Sequence, residues 1–381
     1  MQLELLTDDQ QSISICKDYW QQDVDGKFAL KVQEIADRHE VQAHMVSKYV
    51  KQHSYVWFAK ICCVICKKPY HFGTRLQYQE RNRYMHSTCK KCSEAKRKNI
   101  TDQKKNILIK FRKIAENNIP DIAALDLKSI IYLLAAIQAL SNEDLSTIEP
   151  LNNYPAQTLS PDPAFDRKAL RYLIDQHLLL INLDTSPNAV ELHEDGTANI
   201  NFVMSTFDFA LGQHQIIELI HSFLAAEALK NFQLSTGFIE LCREVQLQEC
   251  LGFLKATLEE HQLYLSPGEK TQQVLGQCLE KFSVAQVYNF IWRAARDAAA
   301  YYMRSSISKK QAGNSVVRSI TRNMEQALAN DWYVKPFNRN YNLPQSSLSR
   351  IVFNTLLGTD DGGFKHPLHE LLQETGTQLN S

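Results

Sequence analysis

Residues 63–92 read CVICKKPYHFGTRLQYQERNRYMHSTCKKC, and both ends of this segment carry the same pattern. Each end is a pair of cysteines separated by two residues, and 22 residues lie between the pairs. Two intervening residues allow one tight turn to present both sulfurs to a single tetrahedral ion, and four thiolates leave no coordination position for water or substrate. We therefore predict a structural Zn²⁺ site with the ligands Cys63, Cys66, Cys89 and Cys92.

Neighbouring side chains leave the ligand set open. Cys62 can pair with Cys66 in place of Cys63, with three residues between the two cysteines, and His71 or His86 can each replace a thiolate. Zinc held by four thiolates is formally dianionic, and the lysines at positions 67, 68, 90 and 91 flank the pairs, where they compensate that charge. The chain has nine cysteines and its first residues do not read as an export signal, so the clustered pairs favour a metal over disulfides.

The residues that follow each cysteine pair indicate a hairpin and then a helix. Residues 66–72 form the tip and the return strand of the predicted hairpin, and Ser93 stands near the N-cap of the predicted helix. This arrangement, over residues 63–98, resembles a treble-clef zinc module. The resemblance implies a small α+β fold held together by the metal.

Treble-clef modules include HNH-type and endonuclease VII-like nucleases, so the resemblance also implies an alternative function. Those nucleases need a second metal site with a histidine general base beside another histidine or a carboxylate. Between the cysteine pairs the chain offers His71, Asn82 and His86, and the sole carboxylate is Glu80. We therefore expect that the protein is not an enzyme, and a zinc-scaffolded nuclease of a defence or recombination system is the alternative.

Upstream of the cysteines, residues 28–52 show apolar side chains at helical spacing with a break in the middle. We predict a first helix with its apolar residues near Ile35 and Ala36, a turn through residues 39–41, and a second helix around Val46 and Val50. This pattern resembles a helix-turn-helix. It departs from that motif at Glu40, where a glycine usually relieves a positive φ.

In this interpretation the second helix, at about residues 42–51, is the recognition helix. Glutamine and histidine side chains donate to and accept from base edges in the major groove, and lysine side chains contact phosphates. The lysines and the arginine after the second cysteine pair continue the basic surface. The predicted nucleic-acid-binding residues are Gln42, His44, Ser47, Lys48, Lys51, Lys90, Lys91, Lys96, Arg97 and Lys98.

The net charge of the chain is zero, from 42 Lys and Arg against 42 Asp and Glu, but this charge is unevenly distributed. Residues 60–113 contain 16 basic and 3 acidic side chains, and residues 293–350 contain 10 basic and 3 acidic ones. Counterion release on phosphate binding depends on local charge and not on the total. Both zones therefore favour a nucleic-acid partner, with a solvated basic face as the alternative.

Two features bear on the location of the protein. The longest apolar stretch, residues 130–140, has 11 residues and contains Gln138, whereas a membrane span requires about 20 apolar residues. The N-terminal residues MQLELLTDDQQ are acidic where a secretory signal carries positive charge. We expect no membrane partner and a cytoplasmic location.

A change in composition near residues 117–120 predicts a domain boundary. We expect a helix-turn-helix and zinc DNA-binding domain over residues 1–116, and a mainly helical regulatory or assembly domain over residues 117–381 with a sub-boundary near 152–163. Glu194-Asp195-Gly196 predicts a hairpin turn in the second domain. Helices are expected over 125–140, 166–177, 207–265, 271–305 and 309–330.

Together these features predict a mainly α protein with an N-terminal helix-turn-helix, a small α+β zinc module and a larger helical domain with a short β-hairpin. The helix-turn-helix and zinc combination resembles bacterial or phage transcriptional regulators, and no family is recognised over the full length. We expect a regulator of double-stranded DNA that dimerises through its C-terminal domain to provide two half-sites. A protein-interaction adaptor with structural zinc is a second alternative.

Overall fold

The computed structural model describes residues 1–154, 159–223 and 236–379, which divide between two compact units, residues 1–103 and residues 104–381. The division lies inside a helix, Lys90–Glu116, and not near residues 117–120, where composition predicted it. The physical reason is that Leu108 is buried in the core of the second unit, with Ile107 and Phe111 packed against that core. The last turns of this basic helix therefore belong to unit 2.

Unit 1 combines short helices with one three-stranded antiparallel sheet, in which strand β2 pairs with both β1 and β3. Its strands are β1 (Gln2–Leu5), β2 (Ser54–Cys62) and β3 (Pro69–Phe72). Its helices are α1 (Gln10–Trp20), α2 (Val32–Arg38), α3 (Ala43–His53), α4 (Arg75–Gln79) and the first half of α5 (Lys90–Glu116), and a 3-10 turn covers Arg81–Tyr84.

The predicted helix-turn-helix is the pair α2 and α3. Ile35, Ala36, Val46 and Val50 are at most 1% exposed, so the apolar spacing in the sequence marks the packed faces of both helices. Glu40 has φ 54°, the left-handed conformation that a glycine usually adopts in this turn. A non-glycine residue is strained there, but the helix pair still forms.

Unit 2 is mainly helical, with short antiparallel strands. After α5 its helices are α6 (Leu127–Leu140), α7 (Pro163–Asp175), α8 (Gln213–Phe223), α9 (Thr236–Glu260), α10 (Glu269–Leu279), α11 (Val284–Arg304), α12 (Lys309–Ala329) and α13 (Leu368–Leu379). A short turn, Ser347–Ser349, continues into a π-helix, Arg350–Leu356. Further 3-10 turns cover Ile122–Ala124, Leu151–Asn153, Pro187–Ala189 and Phe202–Met204.

The strands of unit 2 form a three-stranded sheet in the order β4-β8-β5 and a separate hairpin β6-β7. They are β4 (Thr147–Ile148), β5 (Leu179–Ile181), β6 (Val190–Leu192), β7 (Ala198–Ile200) and β8 (Phe207–Phe209). Gly196, with φ 83°, lies in the turn of the predicted hairpin. The prediction of helix from residue 207 was wrong at its start, because Phe207 and Phe209 pair with β5 as a buried strand.

Two apolar clusters form the core of unit 2, and α9 contributes to both. Phe238 and Val245 belong to the cluster around α6 and α7, whereas Cys250 and Leu254 belong to the cluster around α10, α11 and α12. The predicted mainly α fold class is confirmed, with its small α+β module and short hairpin. In the described ranges, none of the helices combines the length and the apolar composition that a membrane crossing demands.

A buried carboxyl group makes the stability of unit 2 depend on pH. Asp166 in α7 is 8% exposed and accepts hydrogen bonds from the backbone N–H and the hydroxyl of Ser160. Burial is the largest cause that raises the pKa of Asp166 to about 6. Because an unfolded aspartate has a pKa of about 3.9, the folded state binds more protons between these two values, and stability falls as pH rises through this window.

We expect that Asp166→Asn removes this dependence. Between pH 4.5 and 7.5, the free energy of unfolding of the variant relative to the wild type is expected to rise by about 1–3 kcal/mol, as the shift of about two pKa units implies. Urea unfolding at both pH values measures this change. Asp184→Asn, at an exposed position of the same unit, is the control and is expected to follow the wild type. Parallel pH dependence of Asp166→Asn and wild type contradicts the prediction.

Candidate metal centre

The four predicted ligands lie together at the tip of the β2–β3 hairpin and the start of α5. Their sulfur atoms are all within 4.8 Å of one another, and the Sγ atoms of Cys66 and Cys89 are 3.8 Å apart. Cys63 is buried, Cys66 is exposed, and Cys89 and Cys92 are half-buried. Four thiols at these distances can hold one metal ion.

The first knuckle, residues 63–68, is a tight turn that closes the hairpin. The N–H of Lys67 donates to the carbonyl of Cys63 at 3.0 Å, and the N–H of Cys63 donates to the carbonyl of Lys68 at 2.9 Å. Lys67 has φ 59°, so the chain reverses here through a left-handed residue. This turn directs the Cys63 and Cys66 side chains toward the same point.

The second knuckle, residues 89–92, begins α5 and is tied to the first by backbone hydrogen bonds. The N–H of Val64 donates to the carbonyl of Ser87 at 3.1 Å, and the N–H of Cys89 donates to the Cys63 sulfur at 3.3 Å. The N–H of Ser93 donates to the carbonyl of Cys89 at 2.9 Å and opens the helix. The N-terminal end of a helix favours negative charge, so α5 stabilises thiolates at this position.

Hydrogen bonds shift the pKa values of Cys63 and Cys92 in opposite directions. The backbone N–H of Cys89, with smaller contributions from those of Cys66 and Ile65, lowers the pKa of Cys63 to about 6. Hydrogen bonds with the sulfurs of Cys89 and Cys66 raise the pKa of Cys92 to about 12. Because a bound metal requires deprotonated thiols, metal binding at this site releases protons and depends on pH.

The alternative ligands lie outside the group, which within the described ranges consists of the four cysteines. Cys62 is the last residue of β2 and pairs with Pro69 across the hairpin. The ring of His71 stacks on that of Tyr55 with the centroids 3.9 Å apart. His86 is an exposed turn residue with φ 65°.

The predicted nucleic-acid-binding residues of α3 lie on one side of that helix. Ser47 and Lys48 are each three or four residues from both His44 and Lys51, and Gln42 is the N-cap residue. Ser47 is half-buried and the other four are exposed, whereas the opposite side packs into the core. A helix at the surface with this polar face is available to a partner.

The predicted residues of α5 are also accessible, and every residue from Ser93 to Gln103 is exposed. The five predicted basic residues of this helix have no carboxylate within the 4.0 Å of an ion pair in the part of the chain that the structure describes, and the same holds for the two lysines of α3. These residues are Lys90, Lys91, Lys96, Arg97 and Lys98. No carboxylate in the described ranges therefore neutralises their charge.

Sequence reasoning missed helix α1, which supports α3, and the structural role of Arg75. Helix α1 packs Trp20 into the core of unit 1, and its indole N–H donates to the Ser54 hydroxyl at 3.1 Å, where α3 meets β2. Arg75, counted in the basic zone of residues 60–113, donates to the carbonyls of Tyr19 and Leu30 and lies over the Tyr19 ring at 4.4 Å. Burial lowers the pKa of Arg75.

No family model, curated protein or solved structure matches the chain. The geometry of the four thiols and the exposed charge of unit 1 are therefore the observations that bear on function.

Proposed function

We propose that the protein is a zinc-containing regulator that binds double-stranded DNA through unit 1. The donor set favours zinc, because four thiolates in a closed shell are typical of structural zinc sites. With a Zn–S bond of about 2.3 Å, the sulfurs of a regular tetrahedron lie about 3.8 Å apart. The Cys66–Cys89 separation of 3.8 Å agrees with this value. The metal holds the hairpin tip against the start of α5 and has no part in catalysis.

The observation that carries the DNA-binding proposal is the polar, unpaired face of α3. This helix follows a helix-turn-helix turn and rests on α1 and α2, so that one face is buried and the other is free. In such an arrangement the first turn of the second helix addresses base edges in the major groove. Gln42 and His44 occupy that turn, and Lys48 and Lys51 lie farther along, where they contact phosphates.

Basic side chains at the start of α5 extend the contact with the phosphate backbone. Lys90 and Lys91 follow the second knuckle directly, and Lys96, Arg97 and Lys98 lie in the exposed stretch beyond it. Cations without carboxylate partners release counterions from DNA when they bind phosphates, which gives affinity at low salt. In this proposal the protein is cytoplasmic, and dimerisation through unit 2 supplies the second half-site.

Charge reversal on α3 tests the proposal. In the full-length protein, Lys48→Glu with Lys51→Glu is expected to weaken binding to a labelled 30-base-pair duplex by about 100-fold and to reduce the salt slope by about two, because each lysine–phosphate contact contributes about 0.9 to that slope. Fluorescence anisotropy between 50 and 200 mM KCl measures both. Lys17→Glu with Lys27→Glu, at two exposed positions of unit 1 outside α3, is the matched control.

Three results contradict the proposal. Equal binding by the α3 variant and the wild type removes the role of this helix. Cleavage of the duplex that requires a divalent metal and disappears in His86→Ala supports the nuclease alternative. Absence of retention by the wild type at roughly 150 mM salt supports the adaptor alternative, in which zinc is structural and the partner is a protein.

A further inference from the structure

Helix α12 of unit 2 carries a basic stripe, defined here as Lys310, Asn314, Arg318 and Arg322. These four residues are exposed and follow one another at four-residue steps, so they lie on one side of the helix. Each step rises about 6 Å, and the stripe is about 18 Å long. It places three cations and one amide in a line along the surface.

The packing of α12 fixes which way the stripe faces. Ala312, Val316 and Ile320 are fully buried in the core of unit 2, and Ser308 caps the helix through hydrogen bonds with Gln311. Because the apolar side of the helix is already covered, α12 lacks the free apolar face that an amphipathic helix inserts into a membrane. The stripe is therefore a rigid and purely polar surface.

Within the described ranges, the cations of the stripe form no ion pair, whereas some other cations of unit 2 do. Arg112 pairs with Asp208, Lys255 with Asp162, and Arg339 with Glu249. No carboxylate within the described ranges lies close enough to form an ion pair with Lys310, Arg318 or Arg322.

Like charges four residues apart destabilise a helix by a few tenths of a kcal/mol, and Arg318 and Arg322 have this spacing. The stripe therefore does not stabilise the fold, and a bound polyanion would relieve its repulsion.

We propose that the stripe is a second surface for the phosphate backbone of double-stranded DNA, carried by unit 2 and separate from α3 and α5. Its length of about 18 Å corresponds to roughly five base-pair steps of 3.4 Å along the axis of a duplex. Charge complementarity selects the occupant, and the absence of a free apolar face argues against a lipid surface. The inference shares its partner with the proposed function but rests on different residues, and it assigns a role to the basic zone of residues 293–350.

Neutralising the stripe in the full-length protein tests the inference. Lys310→Ala, Arg318→Ala and Arg322→Ala together are expected to reduce the salt slope for a 40-base-pair duplex by about 2.7, since each lost contact removes about 0.9, and to weaken binding at 150 mM KCl by about 100-fold. Anisotropy titrations give both quantities. Lys270→Ala, Lys281→Ala and Lys365→Ala together remove three exposed cations elsewhere in unit 2 and are the control. Circular dichroism melting checks that both triple variants are folded.

The outcomes separate this inference from the proposed function. A loss in the stripe variant alone, with binding unaffected by the α3 charge reversal, supports the stripe and overturns the role of α3. An unchanged salt slope in a folded stripe variant overturns the inference and leaves the α3 proposal standing. If the wild type binds phosphatidylserine vesicles and the stripe variant does not, while both bind DNA equally, the surface is assigned to lipid and the inference is overturned. Equal effects of the stripe and control variants overturn it also.

Discussion

Cys89→Ser is expected to empty the metal site and to release the hairpin tip from α5. Cys89 contributes to both elements, because its sulfur lies 3.8 Å from that of Cys66 and its N–H donates to the sulfur of Cys63. A serine hydroxyl stays protonated at neutral pH and is a much poorer ligand for zinc than a thiolate. Loss of a group that only hydrogen-bonds to a metal ligand weakens metal binding by about 10- to 100-fold. Because Cys89 is itself a ligand in this assignment, we expect the zinc affinity to fall by more than about 100-fold.

The measurement is zinc content per chain by elemental analysis after dialysis, together with the rate of zinc transfer to a chromogenic chelator. Wild type is expected to retain one zinc ion per chain and the variant to retain none. Cys62→Ser is the matched control, because Cys62 adjoins Cys63 in sequence but lies outside the group of four thiols. Equal zinc content in Cys89→Ser and Cys62→Ser contradicts the assignment of the ligands.

Loss of the metal has a structural consequence that is measurable separately. The two knuckles are otherwise joined by few hydrogen bonds, among them the one from Val64 to Ser87. Four sulfurs within 4.8 Å of one another repel when ionised. Without the metal, we therefore expect either that the thiols keep their protons or that the two knuckles separate. We therefore expect hydrogen exchange at residues 63–68 and 87–93 to increase on chelation, while the core around Trp20 and Ile35 stays protected.

The sequence was sufficient for the parts of unit 1 that depend on local spacing. Cysteine pairs separated by two residues predicted the group of four thiols, and the apolar positions of residues 28–52 predicted α2 and α3. Both predictions rest on periods set by the backbone itself, a tight turn in one case and a helix in the other. The sequence alone left Cys62, His71 and His86 as open alternatives, because spacing does not show contacts such as the stacking of His71 on Tyr55.

Features that depend on contacts between distant segments could not be predicted from local spacing in the sequence. The strand Phe207–Phe209 pairs with residues 179–181 and 147–148, and its three residues carry no period that separates strand from helix. The end of unit 1 lies inside a continuous helix, where composition does not change. The burial of Arg75 among carbonyls and aromatic rings likewise follows from tertiary packing.

Gly313→Ala is expected to destabilise unit 2 strongly, although alanine is the better helix former. A Cβ atom at position 313 would lie 2.2 Å from the carbonyl oxygen and 2.8 Å from the carbonyl carbon of Tyr264, both backbone atoms that cannot rotate away. Overpacking of this kind costs about 1–3 kcal/mol, and more when backbone must shift, which exceeds the gain of about 1 kcal/mol in helix propensity. For a net loss of about 2 kcal/mol, we expect the melting temperature to fall by roughly 4–8 °C, at about 2–4 °C per kcal/mol.

Gly276→Ala, in the interior of α10, is the matched control because a Cβ atom there meets no atom within 4 Å. This substitution is expected to raise the free energy of unfolding by about 0.5–1 kcal/mol, since alanine restricts the unfolded chain and favours the helix. Thermal and urea unfolding of both variants measure these changes in the free energy of unfolding, which are expected to have opposite signs. A Gly313→Ala protein as stable as Gly276→Ala would falsify the close packing of α12 against residue 264. Because α12 carries the basic stripe, the same shift of its backbone would also move Lys310 and Asn314, which flank the substituted position.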